Sequence, residues 1–478
     1  MNLKSLAKDT AIYGLSSIVG RFLNYLLVPM YTRVLPAGEG GYGIVTNLYA
    51  YTALFMVLLT FGMETSCFRF ANKEGEKPDT VFSTSISLVS LVSLLFIVLV
   101  PLFIDPIGNL LGYPDHHDYI LMMAGVVALD AIQSLLFSLL RFQKKAVKFA
   151  SLKLFFIFMN IGLNLLYYKV FGYRDVFYIF MLNLVCTGLV TFFFVPELFR
   201  LKWNVDLGLA KRMFSYSWPL LVLGIAGILN QTFDKIIFPL VYPDAEEGKA
   251  LLSVYGGCVK IAMIMAMITQ AFRYAYEPIV FAKNKDDDKI EYYAVAMKYF
   301  VIFTLLAFLF VMAGLDLLKY VIAEDYWDGL RVVPIVMVAE IMMGIYYNLS
   351  FWYKLKDKTL WGALFSGIGC VILAAINILF IPKYGYMACA WGGVAGYGVC
   401  MLLSYFVGQR EMPVPYDLRR IGFYTLLAAV LYVGMIYVPL AGIWSIVAKM
   451  ALAMVYVVIL CNRDFSIRPI LRRLKLVR

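Results

Sequence analysis

Apolar runs long enough to cross a membrane recur along the whole chain, separated by short polar segments. A transmembrane helix needs about 20 mostly apolar residues, whereas the strands of a membrane barrel alternate polar and apolar residues at period two. The runs in this chain do not alternate in that way, so the pattern predicts an all-α polytopic membrane protein. The fourteen predicted spans are residues 10–34, 42–66, 82–104, 119–140, 150–171, 174–196, 213–238, 251–275, 293–318, 332–352, 360–382, 386–408, 421–438 and 441–461.

A weak internal repeat relates the first and the seventh span. The matched positions are Gly14 and Gly224, Asn24 and Asp234, Pro29 and Pro239, and the Tyr-Gly pairs at 42–43 and 255–256. Both matched spans start on the same side of the membrane, which predicts parallel repeats of six helices, as in several transporter folds. We therefore predict one six-helix bundle over residues 1–205, a second over residues 206–412, and two further helices with a basic cytoplasmic tail over residues 413–478.

The distribution of charge orients these spans. Apolar residues make up 62% of the chain and charged residues 15%, with a mean hydropathy of +0.79, whereas soluble domains have about a quarter charged residues. Most of the 42 Lys and Arg residues fall in the loops of one side, which also holds both termini. The positive-inside rule makes that side cytoplasmic. The net charge of +11 thus reflects topology and contact with anionic lipid, and we expect no nucleic-acid partner.

Motifs of soluble chemistry are missing from the sequence. The seven cysteines are scattered without CxxC or zinc spacing, and the His116-His117 pair in a predicted external loop has too few neighbouring ligands for a metal. No phosphate-binding loop, GxSxG or HExxH motif occurs. The first apolar run is too long for a cleavable signal peptide. We predict a protein that is not an enzyme and that has no cofactor or metal site.

Polar residues inside the spans are the candidates for function, because the loops are too short to hold a site. A charge at the bilayer centre costs about 2.5–3.5 kcal/mol and usually faces a cavity or a partner. A structural buried pair is the alternative for each of them. The candidate substrate-binding residues are Arg21, Asn24, Asn160, Asn164, Lys260, Gln270, Arg273 and Tyr274. The candidates for ion coupling are Asp130, Asp234, Glu277 and Glu340.

Some of the intramembrane charges have simpler interpretations. Lys153 and Lys235 are expected to extend their ammonium groups to the membrane interface, and Lys449 to do the same or to find a local partner. Arg273 and Glu277 have the spacing of a helical ion pair. Cations still exceed anions among the intramembrane charges, which favours an anionic substrate such as a phosphate over a cationic drug.

Five stretches, in order along the chain, resemble the Wzx-type polysaccharide-biosynthesis flippases of the multidrug/oligosaccharidyl-lipid/polysaccharide exporter superfamily. They are GRFLNYLLVPMYTRVL at 20–35, AFRYAYEPIVF at 271–281, GIYYNLSFWYKLKDKT at 344–359, INILFIPKYGYMACAW at 376–391 and PVPYDLRR at 413–420. The resemblance implies two six-helix bundles around a central cavity, plus two helices. It also implies transfer of an undecaprenyl-diphosphate-linked oligosaccharide across a bacterial inner membrane, driven by a proton or sodium gradient.

The residues that match the family pattern are Arg21, Asn24, Arg33, Arg273 and Glu277, whereas Lys260 and Asp130 follow from their depth alone. Expected partners are the lipid-linked oligosaccharide, membrane lipids, and the polymerase and chain-length machinery. The first alternative is a multidrug–cation antiporter on the same fold, which needs a more acidic interior. The second is a polysaccharide polymerase, which needs a larger external loop than any in this chain.

Overall fold

The computed structural model describes residues 26–283, 289–356 and 358–464 of the 478-residue chain. Within this part the secondary structure is helical, and no strand occurs. The first ten helices are α1 Val28–Val34, α2 Gly41–Thr60, α3 Met63–Ala71, α4 Pro78–Leu102, α5 Ile104–Leu111, α6 His117–Phe142, α7 Ala146–Leu165, α8 Phe177–Phe192, α9 Val195–Arg200 and α10 Leu207–Val241. The remaining nine are α11 Ala245–Lys283, α12 Lys289–Ala313, α13 Leu315–Leu318, α14 Val333–Leu349, α15 Phe351–Leu355, α16 Leu360–Tyr384, α17 Tyr386–Glu411, α18 Leu418–Ile436 and α19 Gly442–Arg463.

Twelve helical stretches of the described part are long and apolar enough to cross a membrane. They coincide with all the predicted spans except the first and the sixth. The sixth corresponds to α8, which is apolar but shorter, and only the end of the first, α1, is described. The predicted class, a polytopic all-α membrane protein, is confirmed. Hydrophobic length alone carries this prediction, because a chain inside lipid must satisfy its backbone hydrogen bonds within each helix.

The described residues divide into two compact units. The first contains residues 26–257 and 360–396, and the second contains residues 258–356, 358–359 and 397–464. Helices α11 and α17 therefore each contribute residues to both units. The predicted boundaries at residues 205 and 412 divide the chain by its internal repeat, whereas these two units are defined by contacts in one conformation. The predicted boundaries therefore stay a prediction.

The core of the first unit lies where α3, α4 and α6 pack together and α7 and α8 close over them. Phe137 of α6 is at its centre, with its ring 5.2 Å from that of Phe149 and 5.0 Å from that of Phe194. Lipid tails are as apolar as these side chains, so burial of apolar surface alone does not hold helices together in a membrane. The helices associate because the rings pack more closely with one another than lipid tails would. The outward side of α4 is correspondingly left to lipid, with Leu94 and Val98 more than half exposed.

Close approach between α16 and α17 depends on the small residues of the segment GGVAG at 392–396. A methyl group on Gly392 would lie 2.6 Å from the side-chain oxygen of Asn377. A methyl group on Gly396 would lie 2.9 Å from the carbonyl oxygen of Gly369. The two helices therefore pack tightly at this segment, because neither position has room for a larger side chain.

The second unit is organised around α12. Helices α14, α18 and α19 all pack against it, and α18 packs against α19. The last two helices, predicted as an addition to the repeat, are thus attached to the chain through α12. Buried aromatic residues fill the joint, with the rings of Tyr424 and Tyr456 5.5 Å apart.

Candidate functional site

Several predicted site residues lie outside the part of the chain that the structure describes. Arg21 and Asn24 precede residue 26, and the side chains of Tyr274 and Glu277 are also outside the described set. Their roles, and the pairing of Arg273 with Glu277, stay predictions. The other eight predicted residues are described, and they fall into separate groups in the two units.

Asn160 and Asn164 lie on one face of α7, as their spacing predicts. Asn164 is fully buried, and its amide nitrogen donates to the backbone oxygen of Asn160 at 2.8 Å and to its side-chain oxygen at 3.0 Å. Its side-chain oxygen accepts a hydrogen bond of 2.8 Å from the hydroxyl of Tyr31 in α1. The amide of Asn164 is therefore occupied by bonds within the first unit, which join α1 to α7.

Asp130 of α6 interacts electrostatically with Lys153 of the adjacent α7. The ammonium of Lys153 lies 4.1 Å from the centre of the Phe137 ring, so this side chain has partners inside the unit as well as its expected path toward the interface. Arg141 and Glu64 form an ion pair close to the same region. The predicted polar face of α6 is thus engaged with residues of neighbouring helices.

Asp234 of α10 is buried and has two partners. Its carboxylate accepts from the ammonium of Lys235 at 2.9 Å and from the hydroxyl of Tyr255 in α11 at 2.7 Å. The ammonium of Lys235 also donates to the backbone oxygen of Gln231 at 2.9 Å. A buried ion pair whose carboxylate also accepts a hydroxyl is stable while both partners are present, and removal of one partner leaves an uncompensated charge.

A second polar group occurs in the second unit, where α11 passes α14. The guanidinium of Arg273 lies 4.8 Å from the centre of the Tyr347 ring, a cation–π contact. Glu340, two helical turns before Tyr347, also interacts electrostatically with it. Gln270 lies three residues before Arg273, on the same helical face, and both are half-buried.

Arg273 is the last residue of the apolar stretch Ala245–Arg273. The charge distribution predicts that this end of the stretch is the cytoplasmic one. Lys260, half-buried near the middle of α11, lies more than a dozen residues deeper in the same span. Two cations, Lys260 and Arg273, therefore lie along one helix, and the ring of Tyr347 contacts Arg273. Guanidinium groups at such positions bind phosphate or carboxylate through paired hydrogen bonds.

The aromatic partners of these charges were missed by the sequence reasoning. In the first unit Tyr255 of α11 donates to Asp234 of α10, and in the second unit Tyr347 of α14 contacts Arg273 of α11. The ion pair of Glu64 with Arg141 joins α3 to α6. Tyr347 falls in the quoted stretch 344–359, and Tyr255 belongs to the repeated Tyr-Gly pair. A search for aromatic residues one or two turns from each deep charge would have found Tyr347.

Metal ligands are not grouped in the described part of the chain: no set of three His, Cys, Asp or Glu residues there has the geometry for a metal ion. His116 stacks on Tyr119 at 4.4 Å, and His117 lies 3.6 Å from Asp105. Three consecutive aspartates at 286–288, a sequence that could attract a cation, fall outside the described residues.

Solved structures with the same fold are transporters of the MOP superfamily. The lipid II flippase MurJ, in an inward closed conformation, is 15% identical, covers 94% of this chain and 98% of its own, and has a TM-score of 0.74. An inward-facing multidrug resistance MATE family transporter is 13% identical, covers 87% of this chain and 96% of its own, and has a TM-score of 0.66. A MOP superfamily transporter from Pyrococcus furiosus, described by a reversed polarity of its binding pocket, is 15% identical, with 87% and 96% coverage and a TM-score of 0.55.

Identities this low show a common fold and no more. None of the curated proteins matches the chain. The family of polysaccharide biosynthesis proteins matches residues 6–273, which is more than half of the sequence. The chain is therefore a member of the polysaccharide biosynthesis protein family with the fold of MOP superfamily transporters.

Proposed function

We propose that the protein is a flippase that moves an undecaprenyl-diphosphate-linked oligosaccharide, a repeat unit of O-antigen, capsule or exopolysaccharide, across the bacterial inner membrane. The observation that carries the proposal is the family match over residues 6–273. The fold alone does not identify the class of substrate, because a lipid II flippase and multidrug transporters share this fold. Membership of a polysaccharide biosynthesis family favours a glycan-bearing lipid over a drug.

The arrangement in the second unit supports an anionic headgroup. Arg273 presents a guanidinium at the predicted cytoplasmic end of α11, where a diphosphate in the inner leaflet would first meet the protein. Its contact with the Tyr347 ring restricts the positions that the guanidinium can take. Lys260 is a second cation deeper along the same helix, and Gln270 offers an amide for sugar hydroxyls.

The transport cycle that fits this arrangement is alternating access. Arg21, Lys260 and Arg273 attract the diphosphate, while Asn24, Asn160, Asn164, Gln270 and Tyr274 are the proposed hydrogen-bonding partners of the sugars. The polyprenyl chain stays in lipid. The reaction breaks no covalent bond, so the protein acts as a transporter and not as an enzyme. Polymerase and chain-length proteins are the proposed partners on the external side.

A proton or sodium gradient is the proposed energy source, and Asp130, Asp234, Glu277 and Glu340 are its candidate carriers. Asp234 is the best placed of the described ones, since its carboxylate joins α10 to α11 through Tyr255. Protonation or binding of sodium there would weaken the pair with Lys235. An ion shifts the equilibrium between two conformations only by binding one of them more tightly.

A multidrug–cation antiporter is the second candidate, favoured by the acidic Asp234 and by the MATE structures that share the fold. The two candidates differ in the sign of the substrate. The flippase needs Arg273 for an anion, whereas an antiporter for cations gains nothing from it.

The experiment that separates them uses purified protein in liposomes that contain a fluorescent undecaprenyl-diphosphate oligosaccharide. We expect Arg273→Ala to lower the apparent affinity about 10- to 100-fold, because a hydrogen bond to a charged group contributes about 1.5–3 kcal/mol. Arg331→Ala is the matched control, since the side chain of Arg331 is exposed and lies 2.8 Å from that of Asp328, three residues earlier in the chain. Equal affinity in both variants would remove Arg273 from substrate binding, and ion-driven efflux of a cationic dye without lipid movement would favour the antiporter.

A further inference from the structure

A small cavity lies inside the second unit, between the end of α14 and the last turns of α17. Its volume is about 10 Å³, close to the space that a single water molecule needs. Asn348 of α14 and Ser404 of α17 line it from the two helices, and the aromatic side chains of Tyr293 and Trp352 form part of the remaining wall. The cavity therefore has room for one very small ligand.

Two polar atoms of this lining are buried without a partner in the described part of the chain. Ser404 is fully buried, and its hydroxyl makes no hydrogen bond with any described residue. The side-chain oxygen of Asn348 is in the same position, although its amide nitrogen donates to the backbone oxygen of Gly344 at 3.0 Å. Nearly all buried polar groups in native proteins are paired, because an unpaired one lowers stability. Two such atoms beside one cavity thus point to a ligand that pairs with both.

Two other polar side chains of the wall are bonded to the backbone. The amide nitrogen of Gln409 donates to the backbone oxygen of Val414 at 2.8 Å, and its side-chain oxygen accepts from the Val414 N–H at 3.1 Å. The hydroxyl of Tyr293 donates to the backbone oxygen of Val280 at 3.4 Å. These bonds hold Gln409 and Tyr293 in place and direct their polar groups to the backbone rather than to Ser404.

The chemistry of the lining favours a neutral ligand. None of the residues that the structure places around the cavity carries a charge. Removal of an ion from water is costly unless opposite charges or many ligand atoms replace its hydration, and the oxygens of Ser404 and Asn348 are too few for this. A buried water molecule needs only two to four polar partners. It can donate to the oxygen of Asn348 and also bond to the hydroxyl of Ser404.

Water is available at this end of the unit. The charge distribution predicts that the segments after α15 and after α17 are cytoplasmic. In these segments the ammonium of Lys358 lies 2.7 Å from the carboxylate of Glu411, and the ammonium of Lys356 donates to the backbone oxygen of Glu411. The chain that follows Glu411 supplies further lining residues of the cavity. The cavity is therefore close to the predicted cytoplasmic surface.

We propose that this cavity is a binding site for one ordered water molecule, which bridges Asn348 of α14 to Ser404 of α17. Hydrogen bonds between helices contribute to helix association in lipid, where burial of apolar surface does not. The water thus joins two helices whose polar side chains do not bond to each other directly in the described structure. This inference concerns the second unit alone and does not depend on the substrate that the protein transports.

Removal of the serine hydroxyl tests the site, because a bridged and an unbridged hydroxyl give opposite results. If the water is bound, Ser404→Ala deprives it of a partner, and we expect the melting temperature of the full chain in detergent to fall by about 1–3 °C. A buried hydroxyl without any partner is unfavourable, so its removal would leave the melting temperature unchanged or raise it. Either of those results would overturn the proposal.

Ser93→Ala is the matched control. Ser93 of α4 is also fully buried, and its hydroxyl has no hydrogen-bond partner among the described residues, but it does not line this cavity. The melting temperature of this variant should equal or exceed that of the wild type. A fall equal to that of Ser404→Ala would overturn the assignment of the loss to the cavity.

A double-mutant cycle tests the bridge itself. Asn348→Leu removes the other partner of the water and keeps a side chain of similar size. Because one water serves both side chains, we expect the double variant Ser404→Ala, Asn348→Leu to lose about 1 °C less than the sum of the two single losses. Additive losses would overturn the bridge.

A solvent-resolving structure of the purified full chain gives the most direct view. We expect one density peak within about 2.7–3.2 Å of both the Ser404 hydroxyl and the side-chain oxygen of Asn348. The melting temperature should be the same when choline replaces sodium in the buffer. A cavity without density would overturn the proposal, and so would a loss of the peak or of stability on removal of sodium, since the ligand would then be a cation.

Discussion

Two contacts between helices in this protein differ in the residues that make them. Where α2 crosses α11, a methyl group on Gly43 would lie 2.2 Å from the backbone oxygen of Lys249, and the backbone N–H of Gly43 donates to the hydroxyl of Ser253 at 2.6 Å. The attachment of α18 and α19 to α12 instead uses charged groups. The side chain of Asp464, just after α19, is fully buried and accepts hydrogen bonds from Arg420 at 2.6 Å and from the hydroxyl of Tyr424. It also lies 3.9 Å from the ammonium of Lys298 in α12. Near the other end of α12, Asp316 accepts from Lys449 at 2.6 Å.

The two kinds of contact differ in the free energy that is needed to open them. Opening a contact clamped by buried charges leaves a charge without its partner, which costs several kcal/mol in a poorly hydrated place. Opening a glycine crossing with neutral hydrogen bonds costs only packing, and water replaces the bonds. We infer that the α2–α11 crossing moves during transport and that the attachment of α18 and α19 to α12 stays closed.

The largest expected effect is that of Gly43→Ala. The added methyl group meets the backbone oxygen of Lys249, which cannot move aside as a side chain would. Overpacking of this kind costs about 1–3 kcal/mol. That penalty falls on the closed state and should reduce its population about 5- to 150-fold, with a comparable loss of transport rate.

The control for this variant is Gly422→Ala in α18, where an added methyl group meets nothing within 4 Å. Transport by this variant should equal that of the wild type. If Gly43→Ala also transports normally, the two regions do not differ in the way we infer.

An intermediate effect is expected from Asp464→Asn, and it should concern stability rather than transport. The substitution keeps the shape of the side chain but leaves Arg420 without its buried anionic partner. We expect a loss of about 1–3 kcal/mol in the free energy of unfolding, measured by thermal denaturation in detergent. Transport per folded molecule should stay within twofold of the wild type.

Asp328→Asn serves as the matched control for Asp464→Asn, because Asp328 is an exposed member of a local pair with Arg331. Its effect on stability should be about 0.5 kcal/mol or less. Normal stability but lost transport in Asp464→Asn would show that the charged attachment moves in the cycle.

The smallest effect concerns pH and Asp316. Burial raises the pKa of Asp316, but the hydrogen bond and charge of Lys449, together with the hydrogen bond from Ser445, outweigh it, so this pKa lies below its usual value. A carboxyl with a lowered pKa contributes stability above its ordinary pKa and loses that contribution as the pH falls through the folded-state pKa.

We therefore expect the melting temperature of the wild type to fall in acid partly through Asp316, which is 40% exposed and contributes little in total. The melting temperature of Asp316→Asn should be slightly lower at neutral pH and less sensitive to acid. Parallel pH profiles of the two proteins would mean that Asp316 does not hold α19.

The sequence alone predicts the helices of this protein well, because the bilayer makes hydrophobic length decisive. The sequence also predicts that Lys449 either extends to the membrane interface or pairs with a nearby residue. In the structure its ammonium donates to Asp316. The repeat identifies the Tyr-Gly pairs, but nothing in a linear pattern shows that the two pairs meet. That contact joins residues 43 and 253, which are far apart in the chain, and only the packed helices bring them together.

The candidate site is less predictable than the helices. Depth in the membrane selects Asp234 and Arg273, yet their aromatic partners come from other helices. Asn164 illustrates the limit of reasoning from a helical face, because a polar stripe can serve a neighbouring helix instead of a cavity. Its amide is shared with Tyr31 and Asn160 in this conformation.

The measurement that tests the central claim most directly is movement of a fluorescent undecaprenyl-diphosphate oligosaccharide by the wild-type protein in liposomes. Its accessibility to an external, membrane-impermeant probe is followed with and without a pH or sodium gradient. The account predicts protein-dependent movement that one of the gradients accelerates. No movement of any lipid-linked sugar, with gradient-driven efflux of a cationic dye by the same preparation, would contradict it.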